Sequence, residues 1–255
     1  MEYTIIKIDR DNYHQHPQLV CFINPKQPSY NEKIDWLLKR LDEGLRILLL
    51  YPEGEKKAQG YIEYVPGENC WRGVNAPGYM FIHCIWTYSN HWKNKGIATI
   101  LLKECEKEAR KAGMNGMAVL TGDTPFLTKP PLFMKYGFAV MEFASTGQVL
   151  MVKRFKDAPI PHLNDWQEEL CKYRGWHIVY SKQCPWVARF VRELSEWLMD
   201  KKIKIQITEL RTPQEAQHAP SPYAVFNLIH DGKLLADHYI SLTRFANILK
   251  KEGAI

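Results

Sequence analysis

Two hydrophobic periods alternate along this 255-residue chain, and the places where one gives way to the other mark its elements. Residues 80–88, MFIHCIWTY, are apolar or aromatic almost throughout and lack Gly and Pro, which predicts a buried strand. From Ile97 the spacing becomes helical. Ile97, Ile100, Leu101, Cys105, Ala109 and Ala112 share one face, and Lys103, Glu106, Lys107, Arg110 and Lys111 share the other. Between strand and helix lies Lys93-Asn94-Lys95-Gly96-Ile97-Ala98. A glycine here lets the backbone approach a ligand, and the helix directs its first N–H groups and positive dipole end into the turn. The segment is therefore an expected anion site built from backbone, with two lysines adding charge.

The remaining pattern supplies the other elements. Strands are predicted over 3–8, 46–51, 59–65 and 116–121, with a closing hairpin over 138–143 and 149–155. Ile34, Leu37, Leu38, Leu41 and Leu45 form a helical face that Gly44 stops, and 131–136 reads as a short helix. Asp157-Ala-Pro-Ile-Pro-His162 has the composition of a linker, and Asn164 with Gln167 three positions on reads as the capping pair of a helix carrying Trp166, Leu170 and Tyr173. Beyond Gly175 come a strand over 176–181 and a helix opened by Pro185 with Val187, Phe190, Val191, Leu194, Trp197 and Leu198 inward. An alternating strand over 203–208, a short helix over 213–217, a hairpin around Asp231-Gly232 and a last helix opened by Ser241 follow. The expected class is mixed α/β, divided as a first domain over 1–156, a linker and helix over 157–175, and a smaller domain over 176–255.

Composition narrows the function classes. The chain is 45% hydrophobic and 24% charged, a globular balance with no low-complexity run. No apolar stretch approaches the roughly 20 residues that cross a bilayer, and residues 1–16 lack a signal-peptide core, so a cytoplasmic protein without a membrane partner is expected. Cys21, Cys70, Cys84, Cys105, Cys171 and Cys184 show neither CxxC nor zinc spacing, so reduced thiols and no metal are expected. The net charge of +6 comes without a basic run or an arginine-rich helix, which argues against nucleic acid and fits a polyanionic small molecule.

The turn at 93–98 resembles the pyrophosphate-binding loop of the GNAT acyltransferases, Arg/Gln-x-x-Gly-x-Gly/Ala. Lys93 stands at the Arg/Gln position, Gly96 at the first Gly and Ala98 at the final small residue. Phe133-Met134-Lys135-Tyr136-Gly137-Phe138 resembles that family's aromatic-x-x-x-Gly-Phe element. Tyr61-Ile-Glu-Tyr-Val-Pro66, Trp71 and Ala76-Pro-Gly-Tyr-Met80 resemble its YoaP-like branch. The second domain's order, with Tyr180-Ser-Lys-Gln-Cys184-Pro-Trp, resembles the thioredoxin fold and its active-site turn, except that Val187 replaces the resolving cysteine. By that resemblance Pro220 or Pro222 is expected to be the cis-proline facing the turn.

The resemblance implies an N-acetyltransferase that takes acetyl-CoA as co-substrate and an amine of a small molecule, peptide or protein as acceptor. It implies that Lys93, Asn94, Lys95, Gly96, Ile97 and Ala98 hold the pyrophosphate, and that the strand around Cys84, Ile85, Trp86 and Tyr88 bonds the pantetheine arm and thioester through its backbone. Trp86 and Tyr88 have the chemistry of a wall. The amine proton needs a base, for which Glu63 and His83 are the candidates, His because it titrates near neutrality. The family's acid, a Tyr four residues before the Gly, is here Phe133, which has no proton to give. A module that binds an acyl-CoA or a thiol without catalysis is the alternative. Cys184 at a helix N-terminus is expected to have a lowered thiol pKa. The acceptor and the oligomeric state stay open.

Overall fold

The computed structural model describes residues 2–20, 23–199, 201 and 203–254; Cys21 lies outside them. In chain order the strands and helices are β1 (Tyr3–Lys7), α1 (Pro28–Leu41), β2 (Arg46–Pro52), β3 (Gly60–Pro66), β4 (Val74–Asn75), β5 (Tyr79–Thr87), α2 (Ile97–Lys111), β6 (Gly116–Gly122), α3 (Pro130–Lys135), β7 (Ala139–Phe143), β8 (Gln148–Arg154) and β9 (His162–Leu163). Then follow α4 (Trp166–Leu170), β10 (Trp176–Tyr180), α5 (Pro185–Leu198), β11 (Ile205–Glu209), α6 (Pro213–Gln217), β12 (Phe226–His230), β13 (Lys233–Ala236) and α7 (Leu242–Lys251). They form two compact units. One comprises Met1–Leu19, Leu37–Cys70 and Val74–Leu163, the other Val20–Trp36, Trp71–Gly73 and Asn164–Ile255. A single cut near residue 156 is what the linker composition suggests, whereas the contacts assign two earlier stretches to the C-terminal unit.

The first unit is a seven-stranded sheet in the order β1-β2-β3-β5-β6-β8-β7. Its one parallel pair, β5 with β6, is joined by α2, as a parallel connection requires a crossover. Alternation along the strands sends Leu48, Leu50, Ile62, Tyr64, Met80, Ile82, Met117, Val119 and Met151 to the face where α2 lays Ile97, Leu101, Leu102, Cys105 and Ala109. Gly60 permits the close seat of this helix: a Cβ there would stand 2.4 Å from Ile97 Cγ2. Because Gly60 also pairs with Thr87, the first turn of α2 sits beside the end of β5. The proline linker ends in a pairing that the sequence pattern does not announce, β9 with β4 through Val74–Leu163 and Asn75–His162.

The second unit has a four-stranded sheet, β11-β10-β12-β13, with β10 and β11 parallel and the other pairs antiparallel. Ile178, Phe226 and Leu228 of the sheet pack with Val187, Phe190 and Leu194 of α5 and Phe245 and Leu249 of α7. Val187, the residue at the resolving-cysteine position, is thus core. The hairpin turn uses positive φ at both Asp231 and Gly232, 47° and 74°.

Two local expectations are corrected. The N-cap of α4 is Asp165, without a side-chain cap hydrogen bond, and Asn164 instead donates through Nδ2 to the Gln217 carbonyl at 2.8 Å. The Asn164 amide is thereby turned to a distant carbonyl and does not cap the helix. Neither Pro220 nor Pro222 has a cis bond, and none occurs among the described residues. The chain turns into β12 through Ala224 at φ 63°, whose N–H is accepted by Ser221 Oγ at 3.2 Å.

Candidate active site

Strand β5 changes register midway. Glu63 pairs with Cys84 but Tyr64 pairs with Ile82, so His83 is one residue in excess on β5, a β-bulge. The bulge resets the alternation, and Met80, Ile82 and then Ile85 face the core. It also ends the parallel pairing: β5 follows β6 from Tyr79–Gly116 to Ile82–Val119, and beyond that β6 pairs only with β8 and β5 only with β3. A wedge therefore opens between the strands at Cys84–Tyr88. One side chain spans it. Thr128 Oγ1 donates to the Ile85 carbonyl at 2.8 Å, and the Thr128 carbonyl accepts from Thr121 Oγ1 at the end of β6. Nothing in the loop's sequence pattern signals this residue, because loop contacts follow no period.

The two base candidates, on different strands, meet. Glu63 Oε1 lies 3.2 Å from His83 Nδ1, and Glu63 Oε2 accepts from Tyr61 Oη at 2.7 Å. The pair is enclosed, with His83 and Glu63 side chains 0% and 2% exposed. Tyr61 is the member that composition could not pick out; its signal is the two-residue spacing that puts it on the face of Glu63. Burial first, then the Glu63 charge, push the Tyr61 phenol well above its ordinary pKa, so it stays a donor. Cys84, Trp86 and Tyr88 are half-buried. The Trp86 ring lies 4.5 Å from Tyr88 and 6.4 Å from Tyr61, and Tyr88 Oη donates to the Gln18 carbonyl. Ile85 is a core side chain that offers only its backbone.

At the start of α2, Gly96 is the N-cap at φ 86°, with no side-chain cap, and Asn94 before it is also left-handed at φ 63°. The first N–H groups of a helix have no intrahelical acceptor, so here they are offered outward. A Cβ on Gly96 would meet nothing within 4 Å; the glycine answers to its φ and to open space in front of the turn. Lys93, Asn94, Lys95 and Gly96 are exposed, while Ile97 is core and Ala98 half-buried against it. Lys95 Nζ is 3.0 Å from His91 Nε2 and 4.7 Å from the Trp92 ring centre, and Trp92 Nε1 donates to Glu55 Oε1 at 2.9 Å. The turn is thus anchored from one side and open on the other, which suits a phosphate-bearing ligand. Phe133 is buried edge-on against Phe138, ring centres 5.5 Å apart, and contributes packing. Tyr136 stands beside Lys153, whose Nζ is 4.1 Å from its ring centre, and burial with the Glu106 contact raises its phenol pKa.

Cys184 requires a correction. It is the N-cap of α5, but burial pushes its thiol upward, outweighing the Val187 and Trp186 N–H groups and the nearby Lys33 and Arg72 charges. Beside it Arg72 donates to Gln183 Oε1 at 2.5 Å. No cluster of metal-ligating side chains is present among the described residues, and no helix there is long and apolar enough to cross a membrane.

The model of the acetyltransferase (GNAT) family matches residues 10–138. The chain is 30% identical over 251 residues to the uncharacterized N-acetyltransferase YoaP of Bacillus subtilis (strain 168), covering 96% of this chain and 97% of that one. Among solved structures, it resembles the PaiA N-acetyltransferase of Thermoplasma acidophilum in complex with coenzyme A at 14% identity and TM-score 0.45, over 61% of this chain and 100% of that one. It also resembles aminoglycoside 6'-acetyltransferase type Ii at 18% identity and TM-score 0.45, over 61% and 99%. The family match over residues 10–138 and the 30% identity across 96% of the chain place it in the GNAT acetyltransferase family.

Proposed function

We propose that the chain moves an acetyl group from acetyl-CoA to a primary or secondary amine, with the pyrophosphate at residues 93–98 and the thioester arm along Cys84–Tyr88. The observation that carries this is the adjacency of the open α2 start and the wedge, fixed by Gly60, which pairs with Thr87 and touches Ile97. Backbone N–H groups at a helix start bind phosphate without any particular side chain, so Lys93 in place of Arg or Gln serves as a supplementary charge. Bound acetyl-CoA supplies the activated acetyl group.

The chain's own contribution is to the proton. An amine attacks only when neutral, and His83 is the group that accepts its proton. Donation from His83 Nδ1 to Glu63 Oε1 places the ring's basic lone pair on Nε2. Glu63 in this reading orients the ring and offsets the imidazolium charge. Phe133 gives no proton to the leaving sulfur; a thiol with an ordinary pKa of about 8.5 leaves acceptably as thiolate. Loop Thr128 bounds the wedge. The smaller unit, with a thioredoxin-like order and a cysteine lacking its partner at Val187, serves acceptor choice and carries no dithiol cycle, and the enzyme works in the cytoplasm.

The test measures acetyl-CoA affinity by calorimetry and thiol release over a panel of small amines and lysine peptides. His83→Gln is expected to lower kcat at least about 100-fold, the usual worth of a general base, with acetyl-CoA affinity kept. A wild-type protein that binds no acetyl-CoA ends the proposal; full turnover in His83→Gln ends the assignment of the base.

A further inference from the structure

Glu63 is held from both ends, and the second end belongs to a residue that the proton chemistry above does not use. Tyr61 and Glu63 project from the same face of β3, and Tyr61 Oη takes Glu63 Oε2 at 2.7 Å while Oε1 faces His83 Nδ1 at 3.2 Å. A carboxylate gripped by only one partner can rotate about its last bond, and its two oxygens exchange. Gripped at Oε2 by a phenol, it presents Oε1 to the imidazole in one orientation. Tyr61 itself is set by pairing with Leu49 on one side and Trp86 on the other, and by the Trp86 ring edge-on at 6.4 Å.

We propose that Tyr61 is a positioning residue for acetyl transfer: it locks the Glu63 carboxylate so that His83 keeps its proton on Nδ1 and its base on Nε2. This deepens the preceding proposal and rests on its assignment of His83 as the base. The titratable groups around the phenol are Glu63 on its own strand, Cys84 on β5 and Tyr88 just past the end of β5, while β2 brings Leu49 and Ile47 opposite residues 61 and 63. The pH behaviour therefore belongs to the Glu63–His83 pair. A hydrogen bond donated to the carboxylate stabilises the pair most before it takes up a proton, so losing the bond makes protonation easier.

The experiment is Tyr61→Phe in the full chain, which keeps the ring and its packing and removes only the hydroxyl. The expected result is a fall in kcat of about tenfold, the worth of one hydrogen bond to a charged group, with KM for acetyl-CoA unchanged. The acid limb of the kcat/KM profile is expected to move up by about half a pH unit or more. A structural role alone would lower the melting temperature and leave that limb in place, so an unmoved limb with unchanged kcat overturns the proposal. His83→Gln is measured in parallel. If it is inactive and Tyr61→Phe is unaffected, only the role of Tyr61 falls; if it is active, the base assignment falls with it. Should Tyr61→Phe not fold, the imidazole nitrogen shifts of wild-type His83 decide: a proton on Nδ1 supports the lock, and a proton on Nε2 alone overturns it.

Discussion

Two helices in this chain begin the same way and arrive at opposite chemistry. Each follows a strand through a short turn, and each turns its first N–H groups and positive dipole end towards the turn residue. At α2 that residue is Gly96, exposed, left-handed and facing open space. At α5 it is Cys184, half-buried, with Pro185 at the first helical position and the turn partly closed by Arg72 and Gln183. A helix start stabilises a nearby negative charge by about 0.3–1 kcal/mol at an exposed site, whereas desolvation penalises the charged form and acts in the other direction. Hence the open start is suited to an anion, and the closed one holds a protonated thiol despite two cations nearby. The local motif is an opportunity; the space in front of it decides the outcome.

The strongest way to break this contrast is to fill the open start. Gly96→Glu places bulk and like charge where phosphate is expected, and losing two charge-assisted hydrogen bonds there lowers acetyl-CoA affinity at least about 100-fold. Calorimetry on a variant shown to be folded by circular dichroism checks this. Gly96→Ala sharpens it, because it meets the same φ cost without the charge and is expected to lose less.

The closed start yields a smaller effect. Cys184 should alkylate with iodoacetamide at pH 7.5 about tenfold more slowly than exposed Cys171, since only thiolate reacts and burial keeps the proton on. Peptide-resolved mass spectrometry reads both rates, and Cys184 reacting first would reverse the contrast. The raised thiol pKa also has a sign for stability. Its contribution is full below the ordinary thiol range and is lost as pH rises through the folded-state value, so alkaline unfolding is expected to be shallower in Cys184→Ser.

The smallest effect is a null. The anion turn is built from residues 93–98 and their backbone, with no part for the Cys184 thiol, so Cys184→Ser should leave acetyl-CoA affinity within about twofold. A tenfold change would show that the two helix starts are coupled.

Most elements are legible in the chain because each follows from a period of two or 3.6 and from turn residues such as Asp231-Gly232. The α2 turn is legible too, since glycine and a helix start act within six residues. Glu63 and His83 are legible as residue types on neighbouring strands, but their meeting is not. It depends on the bulge that inserts His83 into β5, and a bulge is a property of two paired strands. Thr128 across the wedge, Arg72 beside Gln183 and the pairing of β4 with β9 are hidden for the same reason: each links residues far apart in sequence, and no local pattern records such a partner.

Sequence by itself determined the class of the elements, the glycine turn and the absence of a dithiol at residues 184–187, because these depend on residue identity and short spacing. Tertiary structure alone decided which oxygen of Glu63 meets which nitrogen of His83, and the direction of the Cys184 pKa. Hydrogen-bond geometry and desolvation are set by everything that surrounds a group, and only the folded chain assembles those surroundings.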